Sequence, residues 1–151
     1  MSGNVLINNL TSRVERFKED INFHIAQIIE ANSDLIIAEN VENQIYSDGV
    51  DTKGVSFPSY AESTKKQKKR KGQPTNRVTL KDSGAFHESI GLDIRDDEFE
   101  LITENETYKW LRGRYGENIL GLRAEFIREF TWKIVYPELL KRAKSVIYGI
   151  N

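Results

Sequence analysis

The sequence predicts an α+β fold, and three observations carry that prediction. Two N-terminal stretches place apolar residues at three- and four-residue steps, a pair of short alternating segments flanks an acidic turn, and the C-terminal stretch is again helical in pattern. Between the first and second lie about 30 residues rich in Gly, Ser, Thr, Lys and Pro. The expected order is N-terminal helices, a long basic loop at about 50–77, a small antiparallel sheet and a C-terminal helix. At 151 residues the chain reads as a single domain over 1–151.

Residues 11–31 form the first amphipathic pattern, with Val14, Phe17, Ile21, Ile25 and Ile28 on one stripe. Thr11 or Ser12 is its expected N-cap, because a hydroxyl there accepts a hydrogen bond from a first-turn N–H. His24 lies beside the stripe without a second ligand-type residue near it and reads as a surface residue. A second helix follows over "NSDLIIAENVENQIYSDG", capped by Asn32 or Ser33, with Ile37, Val41 and Ile45 on its stripe and Gly49 just past its end. The two patterns equally read as one long helix broken at "ANS".

The Gly/Ser/Lys-rich stretch exceeds the roughly 12–15 residues usual for a structureless connection, which marks it as functional or disordered. Pro58 and Pro74 forbid one continuous helix across it, while "ESTKKQKKRK" retains the composition for a short one. Asp82 and Ser83 precede a brief helical stretch, "GAFHESI". Leu92 and Ile94, then Phe99 and Leu101, alternate with polar residues about Asp96–Asp97, as a hairpin requires. A third strand at Arg77–Leu80 is available to pair with them. Tyr108, Trp110 and Leu111 read as a short helix or strand, and Gly113, Gly116 and Gly121 as turns. In the final helical segment, Phe126, Phe130, Ile134, Leu139 and Val146 are available to a core. Pro137 predicts a kink or restart near Val135–Tyr136.

Composition narrows the function classes. No apolar run approaches the roughly 20 residues of a membrane-spanning helix, and no membrane partner is expected. "MSGNVLINNL" lacks a cationic segment leading into a long apolar one and is read as no signal peptide. Zero cysteines exclude disulfides, thiolate catalysis and Cys-ligated metals in these residues. His24 and His87 share no metal spacing, "GRYGENILG" is not a phosphate-cradling loop, and "DSGAFHES" has a Ser and a His but no acid to orient them. The chain is therefore expected to be no enzyme and to use no cofactor.

Charge is distributed unevenly. The formal net charge is −1, yet Thr64–Lys81 holds eight basic residues and no acidic one. That leaves 14 of the 22 basic residues against all 23 acidic ones elsewhere, a balance of −9. The run Lys65, Lys66, Lys68, Lys69, Arg70 and Lys71, followed by Arg77, has three readings. It neutralises nucleic-acid phosphates, it is a solvated loop, or it docks on an acidic face of a neighbouring subunit. No aromatic residue lies between Ala61 and Ala85, so base stacking of the single-strand type has no platform, and a nucleic acid would be held by its backbone and not read by sequence.

One resemblance joins these segments. Gly54, Phe57, Pro58 and Tyr60, then the Lys-rich run, then Leu80, Asp82, Ser83, Gly84, Phe86, Ser89 and Ile90 form a pattern similar to that of virion-morphogenesis and tail-completion proteins of tailed bacteriophages. "YGENILGL" (115–122) also resembles the later part of such sequences. Ser83 stands where Thr is the commoner residue. The resemblance spans about 44–122 and implies a structural, non-enzymatic subunit of a homo-oligomeric ring at the head–tail junction or tail end. Its implied neighbours are portal, adaptor or tail-tube proteins, with sequence-independent contact with packaged DNA. The implied location is the virion, assembled in the host cytoplasm. The alternative is a small nucleic-acid-binding protein that uses Lys65–Lys71.

Overall fold

Helix begins at Gly3, ahead of both predicted caps, in the computed structural model, which describes residues 3–150. Thr11 and Ser12 lie inside this helix α1 (Gly3–Glu19), and their hydroxyls donate to the Ile7 and Asn8 carbonyls one turn back. A hydroxyl satisfied by its own helix has no capping role to play. After Asp20 comes α2 (Ile21–Ala31), and the break expected at "ANS" falls at Asn32, whose side-chain amide donates to the Ile28 carbonyl. α3 (Ser33–Ala38) then opens directly into wider π-helical turns, Glu39–Asp48. Gly49 closes them with a left-handed backbone, φ 65°. A side chain there would also meet Val78 O and Arg77 Cβ at 3.1 Å, so glycine serves both the turn and the close approach.

The segment expected to be a loop contains a helix. Val50 and Ser56 pair as an isolated antiparallel bridge around a turn at 51–54, and α4 (Glu62–Arg70) follows. α5 (Ala85–Glu88) is a single turn, entered through Gly84 at φ 102°. β1 (Gly91–Ile94) and β2 (Phe99–Ile102) make the hairpin, closed by Arg95 N–H donating to Glu98 O. The third strand does not form: the sheet described has two strands. Leu80 turns the chain with φ 51°, and the Thr79 N–H is taken by the Tyr60 hydroxyl, so this stretch offers no ladder. α6 (Thr107–Tyr115) includes Gly113, which is helical and not a turn, and ends at Gly116, φ 96°.

α7 (Ala124–Phe130) continues through π-helical turns at Thr131–Val135 into α8 (Tyr136–Tyr148). The restart falls at Tyr136, as Pro137 predicts. Its missing N–H and bulky ring cannot be accommodated by a regular preceding turn, and the wider turns absorb both.

The fold is therefore α+β, and the described chain gathers into two compact units. One unit comprises the chain to Asn32, the hairpin tip 94–98 and the chain from Arg128. There α1 and α2 pack on α8, with Phe17, Ile28, Ile29 and Phe130 buried. Arg13 donates to the Ile147 carbonyl (3.1 Å) and Arg142 to the Gln27 side chain (2.7 Å).

The other unit, 33–93 with 99–127, is organised around the π-helical turns. Asn40 and Gln44 are fully buried, and both donate to the Gly121 carbonyl, at 2.7 and 3.3 Å; Asn40 also reaches Ile119 O. Arg123 bridges Glu39 and Asp48 at the two ends of the same turns, 3.2 and 2.7 Å away. Partial burial works against the Arg123 charge, but hydrogen bonds to Glu39 and Asp48 outweigh it and raise its pKa further. Ile119, whose carbonyl takes one of these bonds, is fully buried, and Ile36, Ile45, Phe57 and Val78 are buried in the same unit. Each such aliphatic side chain contributes about 1.5–3 kcal/mol relative to exposure.

Gly121 is the tightest point of this arrangement. Its φ is 131°, and an added Cβ would lie 2.8 Å from Thr52 Cγ2. Gly121→Ala is expected to lower unfolding free energy by about 2–3 kcal/mol, against about 1 kcal/mol for Gly54→Ala, where no atom lies within 4 Å. Adding Thr52→Ser removes the clashing methyl and should recover part of the Gly121→Ala loss but none of the Gly54→Ala loss. Urea denaturation of the four variants checks both statements.

Candidate functional site

The two halves of the sequence pattern meet in the second unit as its folding core. Phe57, Tyr60, Leu80 and Phe86 are all buried. The Tyr60 hydroxyl accepts the Thr79 N–H at 2.9 Å, joining "FPSY" to "VTLKDSG" across α4. Pro58 is exposed, while Gly54 and Gly84 occupy positive-φ turns. Ser83 accepts the Ala85 N–H at 3.3 Å across Gly84, the residue that leads into α5. Ser89 bonds Phe86 O and the Thr103 hydroxyl, both at 2.6 Å. These residues build a scaffold.

That scaffold sorts the basic residues into two groups. Lys68 is only 7% exposed, with its ammonium donating to Lys81 O (2.6 Å) and Gln73 Oε1 (3.1 Å) and lying 4.8 Å from the Tyr60 ring centre. Arg77 donates to the Tyr46 carbonyl in the last π-helical turn, where a cation complements the helix end. Lys65 pairs with Glu62 and Lys71 with Asp82. Hydrogen bonding to Lys71 holds the Asp82 carboxyl below its ordinary pKa. Lys66, Lys69 and Arg70 stay exposed and form no ion pair among the described residues. They occupy one continuous outer face of α4, because steps of three and four residues return to the same side of a helix.

Aromatic residues from α6 lie on the other side of α4, which sequence order alone did not reveal. Phe86 stacks on Tyr108 and Phe57 meets Tyr115 edge-on, with ring centres 5.9 Å apart in both pairs. Trp110 leans edge-on against Tyr115 and remains 62% exposed. Between α4 and α6 opens a cleft of about 520 Å3, lined by Thr64, Gln67 and Lys71 on one wall and Trp110 and Arg114 on the other. Four cations and a single carboxylate, Asp82, are among the lining residues. The expectation that the basic run has no aromatic platform is thus corrected: the platform comes from residues some 40 positions further on. The signal was "TYKWLRGRY", whose aromatics and three cations without an acid repeat the chemistry of the basic run.

His87 is not poised for proton transfer. It is 8% exposed, hydrogen-bonds the Thr79 carbonyl at 2.9 Å and sits edge-on to Tyr46. Burial, with help from Lys81 and Lys68, lowers its pKa below the ordinary 6.5, although the bond to Thr79 opposes the shift. Among the described residues no three His, Asp or Glu side chains gather as a metal site, and no helix is long and apolar enough to cross a membrane. No protein-family model, curated protein or solved structure matches this chain.

Two outcomes follow from this sorting. Changing Lys66, Lys69 and Arg70 together to Gln should leave stability within about 0.5 kcal/mol. Lys68→Ala should cost about 1–3 kcal/mol, because the Lys81 carbonyl loses its partner; thermal denaturation compares them. For His87 the folded pKa is depressed, so the unfolded chain binds the extra proton first. Stability is then full above pH 6.5 and falls as pH drops through 6.5 toward the lower folded value. Denaturation midpoints at neutral and mildly acidic pH should show this fall, and His87→Gln should flatten it.

Proposed function

We propose that this chain is a structural virion protein of a tailed bacteriophage, a ring-forming subunit at the head–tail junction or the tail end. It works by assembly, without catalysis, beside portal, adaptor or tail-tube proteins. The observation that carries the assembly role is the apolar surface left open in the helical unit. Trp132, Tyr136 and Leu140 follow one another at four-residue steps and are 64%, 51% and 42% exposed. Leu6, Ile7 and Leu10 on α1 and Phe23 on α2 are open as well. Exposed aromatic and aliphatic side chains in this number, with the Trp132 and Tyr136 rings 5.4 Å apart, support protein–protein contact.

The phage assignment draws on the resemblance of residues 44–122. Its pattern positions serve the fold here, as expected of a family defined by a scaffold and not by a reaction. A ring closes through contact between unlike surfaces, and the exposed apolar side chains of the helical unit and the exposed cations of α4 are unlike surfaces.

Light scattering and negative-stain microscopy of the purified chain across a concentration series test this reading. The expected result is a closed ring of defined mass, shifted to smaller species by Trp132→Glu with Tyr136→Ser. A monomer at every concentration, indifferent to those substitutions, would sink it.

A further inference from the structure

We propose that the cleft between α4 and α6 binds single-stranded nucleic acid, with a base stacked on Trp110 and the flanking phosphates held by Arg114 and by Lys71 just past the end of α4. Trp110 presents an open ring beside Arg114, and the only carboxylate lining the cleft, Asp82, is already paired with Lys71. Both walls are basic helices. α6 carries Lys109, Arg112 and Arg114 with no acidic residue, and α4 carries five cations against Glu62 alone, with Lys71 directly after it. A low-dielectric groove between two such walls concentrates positive potential where the indole stands. Thr64 and Gln67 add hydrogen-bonding groups without sequence-reading geometry.

The pairing of a stacking surface with a positive track is what sequence-tolerant binding of single strands requires. A duplex does not satisfy it, because its bases are already stacked on one another and present only edges and phosphates. Lys68 contributes indirectly. Its bonds to Gln73 and Lys81 O tie α4 to the following segment and so set the width of the cleft. The inference does not rest on ring formation, since every residue it uses belongs to one chain and one unit.

The chain has two tryptophans, so Trp132→Phe leaves Trp110 as the sole indole reporter. Titration of this variant with oligothymidylate at low salt should quench its emission, and added salt should weaken the binding. In the otherwise native chain, Trp110→Ala should weaken binding of a labelled oligothymidylate about tenfold or more while thermal unfolding stays unchanged. Arg114→Gln should weaken it and lower the log–log salt slope by about 0.7. Inorganic polyphosphate should bind without comparable quenching. Equal quenching by polyphosphate, unaltered binding by Trp110→Ala, or tighter binding of duplex than of single strand would each overturn the proposal. The last outcome would assign the basic helix to duplex phosphates through its outer face.

Discussion

Two buried amides on π-helical turns decide the shape of the larger unit. Asn40 and Gln44 converge on the Gly121 carbonyl, and Arg123 spans the same turns from Glu39 to Asp48. A buried donor left unpaired costs about 1–3 kcal/mol, against about 0.5–1.5 kcal/mol contributed when it is bonded. Here the amide N–H groups are bonded, while the Asn40 and Gln44 side-chain oxygens have no partner among the described residues. Segment 119–123 is therefore tied to this position by desolvation as much as by attraction. Burial of Ile119 follows from it, and so does the placement of the preceding helix α6. Asn40 and Gln44 stand four residues apart on one side of these turns, which lets both reach one carbonyl.

From that constraint the basic segment acquires its form. With α6 held in place, Tyr108 and Tyr115 meet Phe86 and Phe57, and these aromatic contacts anchor the stretches on either side of α4. Lys68 then turns inward, onto Tyr60 and the Lys81 carbonyl, and gives up its charge to structure. Its neighbours Lys66, Lys69 and Arg70 are turned outward by the same helical geometry. A run that looks uniform along the chain is thereby divided by function: one lysine holds the helix down, and the opposite face is left for solvent or a polyanion.

The helical unit shows a different economy. Phe17, Ile28, Ile29 and Phe130 form its core, yet Trp132, Tyr136, Leu140 and the start of α1 stay open. A small unit buries a limited fraction of its surface, and here the surplus apolar area is arranged along helices and not scattered.

Much of the local structure was legible in the chain itself. Period-3.6 stripes located the helices, the alternation about Asp96–Asp97 located the hairpin, Gly49 marked a helix end, and Pro137 marked the restart at Tyr136. Each depends on neighbours in sequence, because backbone sterics and apolar periodicity act over a few residues. What sequence order could not decide were matters of distance along the chain. Thr11 and Ser12 look like caps until the helix is seen to start earlier. Arg77–Leu80 looks like a strand until the Tyr60 hydroxyl takes the Thr79 N–H. Whether Lys68 faces inward or outward, and whether Trp110 stands beside the basic helix, depends on contacts between residues tens of positions apart. Only the tertiary structure settles these, because the buried amides and aromatic pairs that impose them exist only once the chain has closed on itself.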